Sequence, residues 1–200
     1  MNVALGFKAH SGWAALVALG HEGRNLVVVD RRRIELADPA DGEWARQPYH
    51  AAEGLPSARA KEVVARGVTT ARRMAVAEVR GAMTRAKQAG HAVIGCGVLV
   101  GTPMPDWTVD EILAVHFRMH QAEGVLYRDV LIHAARTCKL PIVEAVEKQI
   151  GAEAARRLKR SVPQLKEQVS ALKSQVGAPW GKDQKDAALA AMIGLAEAGP

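Results

Sequence analysis

Three groups of residues in this chain are of the right type and spacing to do chemistry. Asp183 and Asp186, in KDQKDAALAAMIGL, stand one helical turn apart, a spacing that lets two carboxylates hold a divalent cation weakly. Lys8, in LGFKAHSGWAAL, closes the first apolar run of the chain, where a cation has either an acidic neighbour to pair with or a path to solvent. His116, His120 and Glu123 stand at i, i+4 and i+7 and share one helix face, a ligand spacing for zinc or a similar ion. The same spacing also fits a polar helix face or a histidine pair at a dimer interface. No acid falls inside it to make an H-E-x-x-H protease motif.

Basic side chains are a fourth resource. Arg31, Arg32 and Arg33 are consecutive, so on a strand Arg31 and Arg33 serve one surface and Arg32 the other. Arg156, Arg157, Lys159, Arg160 and Lys166 follow one another on a helical segment. They either track a phosphate backbone, with salt-dependent affinity, or form a solvated charged face. Trp44 and Tyr49 are candidates to stack on exposed bases, whereas Trp13 opens an apolar strand and reads as core.

The chain that must position these groups has 200 residues, 48% of them hydrophobic and only 4% aromatic, enough for one α/β domain with a core of Ala, Val, Leu and Ile. Lys and Arg number 27 against 21 Asp and Glu, a net charge of +6 that favours an anionic partner. Cys96 and Cys138 are far apart and show no metal-ligand pairing; with no signal peptide and no long apolar span, a reducing cytoplasm is the expected setting and a membrane is not.

Hydrophobic periodicity predicts strands over Asn2–Gly6, Trp13–Leu19 and from Leu26, a loop over Asp38–Pro56, and a helix over Ala58–Ala89. A continuous apolar strand follows over His91–Gly101. A second long helix spans Asp106–Lys139, with Thr108 and Glu111 as its capping box. Then come a short strand at Pro141–Val143, a largely helical stretch over Glu144–Val176 broken near Pro163, and a final helix over Lys182–Ala196. Three strands able to pair antiparallel, followed by alternating strands and helices, is a ribonuclease-H-like order. No G-x-G-x-x-G follows the first strand, and neither a repeat nor a second domain is visible across residues 1–200.

Within that order the chain resembles the RuvC-type Holliday junction resolvases. LGFKAHSGWAAL is similar to their opening hairpin, with Gly6 and Ser11-Gly12-Trp13 on the matching positions. AEGVLYRDVLIHAARTCKLPIVEAVEK, QLKEQV and KDQKDAALAAMIGL resemble later segments in the same sequence order. The resemblance implies a metal-dependent nuclease, with carboxylates holding two Mg²⁺ or Mn²⁺ ions against the scissile phosphate. It places Asp183 and Asp186 on the last two metal positions, Lys148 near the DNA groove and the helix from Asp106 at a homodimer seam.

The departures from that pattern are as informative. Lys8 stands where the resemblance implies the first aspartate, and the fourth strand offers no acid. A charged lysine cannot ligate a divalent metal and repels one. The expectation is therefore a catalytically degenerate nucleic-acid-binding protein that recognises branched or structured DNA by shape and charge, with Lys8 paired to Asp183 or Asp186. Two alternatives stay open: an active nuclease in which Glu123 or Glu144 joins Asp183 and Asp186, and a protein-binding scaffold that touches no nucleic acid.

Overall fold

The computed structural model describes residues 1–199. Strands β1 (Asn2–His10), β2 (Trp13–Glu22), β3 (Asn25–Glu35), β4 (Ala92–Val100) and β5 (Ile142–Val146) form one sheet in the order β3-β2-β1-β4-β5. β1 pairs antiparallel with β2 and β2 with β3, while β4 runs parallel to both β1 and β5. Helices α1 (Pro48–Ala52), α2 (Ser57–Gln88), α3 (Val109–Leu113) and α4 (His116–Thr137) follow, then α5 (Ile150–Leu158), α6 (Val162–Ala171), α7 (Lys173–Val176) and α8 (Lys182–Glu197). This is the ribonuclease-H-like architecture expected from the element order.

The sheet divides two cores. Leu5, Phe7, Leu16, Ile34, Cys96 and Val98 pack on α2 and α4; Val17, Leu19, Leu99 and Ala145 pack on α5, α6 and α8. Strand periodicity alone fixes these sides: Leu5 and Phe7 point one way, so Gly6 and Lys8 point the other, towards α8. Cys96 is fully buried, and burial, helped by the nearby Cys138, pushes its thiol up to about 12, which leaves it inert.

Helix α8 lies unusually close to the sheet. A Cβ on Gly6 would stand 1.9 Å from the carbonyl oxygen of Ala187, and one on Gly97 would stand 2.1 Å from that of Ala190. The two strand glycines thus let the helix backbone rest on the sheet with no side-chain layer between.

Three expectations change. The Asp38–Pro56 loop contains two 3₁₀ turns and α1; Asp38 caps the first turn, and the Tyr127 hydroxyl donates to the carbonyls of Ala45 and Arg46 at 2.8 and 2.9 Å. The long helix from Asp106 is split at Val115, which is extended (φ −139°, ψ 113°), although the Thr108–Glu111 capping box forms as expected. The break lets Ile112 and Met119 enter one cluster with Tyr49, Met104 and Trp107. Trp13 is half-buried at the sheet end, with His10 stacked on one side at 4.2 Å and the Arg33 guanidinium on the other at 4.1 Å.

Candidate nucleic-acid site and a histidine cluster

Lys8 sits near the carboxyl end of β1, on the α8 side, only 4% exposed. The first turns of α8 hang directly above it. Its Nζ lies 2.8 Å from Asp186 Oδ2, 3.1 Å from Asp183 Oδ1 and 3.4 Å from Glu147 Oε1. Glu147 arrives from the 3₁₀ turn that follows β5, so the three acids come from two elements and meet where the parallel strands end. Burial alone would lower the lysine pKa; the hydrogen bonds to Asp186 and Asp183 outweigh it and hold the ammonium well above the ordinary lysine range.

Further cations complete the set. Lys182 Nζ pairs with Asp186 from one turn earlier on α8, and Arg128 Nη2 reaches Glu147 Oε2 at 3.3 Å from α4. His10 Nε2 lies 3.2 Å from Asp183 Oδ2, off the line of a hydrogen bond. Three carboxylates thus face three permanent cations, Lys8, Lys182 and Arg128. The cluster is neutral without any metal.

The divalent pair implied by the sequence resemblance does not fit this arrangement. The point on which the acids converge is filled by the Lys8 ammonium, and two divalent ions would add four charges to a set already balanced. Glu144, named with Glu123 as a replacement acid, lies on β5 opposite Val98 of β4 and so faces the α2–α4 side, away from Lys8. Glu147 is the acid that sequence reading overlooked. Its position at a strand end after an apolar run was the available signal.

Beside the cluster opens a cleft of about 960 Å³ between α5, α6 and α8. Lys148, Lys166, Lys182 and Lys185 line it with Glu147 and Asp186 over an apolar floor that includes Leu165 and Leu189. Arg33 lies on the Trp13 ring at the same end of the sheet as Lys8, while Arg31 is turned to the carbonyls of Gly177 and Pro179 before α8. Lys159 and Arg160 are not in the cleft: they border the opposite side of α6, with Gln164 and Gln168, and Arg160 bonds Gln168 at 2.6 Å. Arg156 is exposed and only loosely paired with Glu153 at 3.9 Å. The basic run is therefore divided between two surfaces.

No family model matches the chain, and no curated protein matches it. Among solved structures, RuvC of Thermus thermophilus in complex with a Holliday junction substrate superposes with a TM-score of 0.51 at 11% identity, over 96% of this chain and 92% of that one. The fold is of the RuvC type. A second Thermus thermophilus RuvC structure aligns over the same shares at 11% identity and a TM-score of 0.48. At this identity the likeness establishes the RuvC-type fold and nothing finer. No helix of the described residues is long and apolar enough to cross a membrane.

The histidines predicted on the second long helix lie at the other side of this RuvC-type fold. His116 and His120 share the first turns of α4, with their Nε2 atoms 3.2 Å apart. Glu123 does not join them as a third equal partner. It is 2% exposed and turned inwards, where it accepts from the His50 backbone N–H at 3.2 Å and from His50 Nδ1 at 2.9 Å. His50, carried on α1, completes the trio, and sequence spacing had no means of finding it: 66 positions separate it from His116.

Proposed function

We propose that this protein binds nucleic acid, with branched or structured DNA as the favoured ligand, and that it does so without cutting. The observation that carries this reading is the buried Lys8 ammonium at the meeting point of Glu147, Asp183 and Asp186, next to a lysine-lined cleft. A fixed internal cation keeps the acids in place, so a phosphate meets a neutral centre instead of three negative charges. Lys148, Lys166, Lys182 and Lys185 then supply the attraction, and the stacked Arg33–Trp13–His10 edge supplies a rigid rim. Lysines that contact phosphates fix a position on the backbone without reading sequence, which supports recognition by shape and charge. The reading includes a cytoplasmic setting and a homodimer through the region of α3 and α4, where Phe117 is 72% exposed.

The test is binding of a labelled four-way junction against a plain duplex of equal length, over a range of salt and with Mn²⁺ present. Tighter junction binding, a steep salt slope and intact strands are expected. Absence of binding even at low salt would overturn the reading. Cleaved strands would equally overturn the non-cutting reading, since they would require the three carboxylates to take metal in place of the Lys8 ammonium. Sedimentation of the free protein tests the dimer.

A further inference from the structure

The cluster of His50, His116 and His120 serves no purpose in nucleic-acid binding at the Lys8 end of the sheet, and its geometry has a logic of its own. One ligand-capable nitrogen from each ring lies within 4.8 Å of the other two. Two nitrogens bound to one tetrahedral zinc at about 2.0–2.1 Å stand roughly 3.3 Å apart. The His116 and His120 Nε2 atoms are at 3.2 Å. Little rearrangement is needed to bring the pair onto one ion.

His50 supplies the decisive detail. A carboxylate only accepts hydrogen bonds, so the 2.9 Å contact with Glu123 Oε2 places the proton of the neutral ring on Nδ1. The lone pair is then on Nε2. That atom is buried and has no hydrogen-bond partner among the described residues. The His50 ring centroid lies 4.4 Å from that of His120 and 5.2 Å from that of His116. A buried carboxylate that fixes the tautomer of a histidine packed against two more histidines is the support metal-binding imidazoles ordinarily receive. A merely polar helix face would require neither the buried Glu123 nor an orphaned nitrogen.

We propose that His50, His116 and His120 form a zinc site, oriented from beneath by Glu123 as a positioning residue. Neutral imidazole nitrogens suit zinc, and a set of three leaves the fourth tetrahedral position to solvent on the exposed side of His116. The ion joins α1 to α4, two elements 66 residues apart in their nearest ligands, and so fastens the connection between β3 and α2. The site is independent of the nucleic-acid reading, because its ligands lie on α1 and α4 and none lines the lysine cleft.

The experiment uses untagged protein stripped with a chelator and then titrated with zinc chloride in competition with a chromophoric chelator. One zinc per chain is expected. His116→Ala and His120→Ala change exposed side chains and leave the fold intact by circular dichroism, yet each lowers affinity by about 100-fold or more. Glu123→Gln lowers it by about 10- to 100-fold, the range for an outer carboxylate. Co²⁺ in place of zinc gives the intense visible bands of a tetrahedral ion, lost in His120→Ala. Substoichiometric zinc in the stripped and reloaded protein, or histidine variants that bind as the parent does, would overturn the proposal.

Discussion

The Lys8 cluster and the histidine cluster solve the same electrostatic problem with opposite materials. At the sheet end, three carboxylates converge and the chain itself supplies the cation, a lysine only 4% exposed. On α1 and α4, three imidazole rings converge over a single buried carboxylate, and lone pairs are what the chain can supply. Coordination-like geometry therefore does not by itself identify a metal site. What separates the two is the charge already present at the centre. A site carrying its own ammonium excludes metal, whereas neutral donors backed by one acid invite it.

The sharpest way to break that contrast is Lys8→Ala. Removing one partner of a buried ion pair costs about 3–5 kcal/mol, because the acids left behind repel one another. Glu147 and Asp186 keep Arg128 and Lys182, which argues for the lower end, about 3 kcal/mol, or a fall in Tm of roughly 6–12 °C for a chain of this size. Mn²⁺ should restore part of the loss in the variant and do nothing for the parent. Equal Tm values for the two proteins would sink the account of Lys8 as an internal counter-ion.

Zinc is the matching test on the other side. At one hundred times the dissociation constant it stabilises the protein by about 2.7 kcal/mol, and His120→Ala cuts that gain to about 0.4 kcal/mol or less. Gly97→Ala comes next. The added methyl meets the Ala190 carbonyl and costs about 1–3 kcal/mol of overpacking, with resonance shifts centred on Lys8 and Asp186 and unchanged zinc affinity. Lys148→Gln and Lys166→Gln weaken DNA binding and lower the salt slope by about one unit each, leaving Tm within about 0.5 kcal/mol of the parent.

The smallest effect is a predicted absence. The folded pKa of Lys8 lies above its ordinary value of 10.5, so its contribution is fully present below pH 10.5 and is lost only as pH rises through the higher folded value. The stability difference between the parent and Lys8→Ala should stay constant from pH 7 to 10.

The order of elements along the chain, the capping box at Thr108 and the break near Pro163 were legible in the sequence because each follows from local rules of periodicity, capping and proline chemistry. So was the split of Arg31 and Arg33 from Arg32, a consequence of strand alternation. Lys8 next to Asp183 and Asp186 required two ends of the chain to meet, and only the resemblance to the RuvC-type family linked them. Glu147 and His50 escaped because each joins its cluster through tertiary placement alone. The division of the basic run was equally hidden: Lys166 faces the cleft and Arg160 faces away, since α6 starts afresh at Ser161 and resets the helical phase.

Gly6 and Gly97 have one more consequence. Where side chains separate two layers, a disturbance is absorbed by rotamer changes within the gap. Here the α8 backbone bears directly on the strands, and no such cushion exists at those two points. Gly194, further along the helix, is likewise seated against Cys96 and Gly97, so the height at which α8 carries Asp183 and Asp186 over Lys8 is set by backbone resting on backbone.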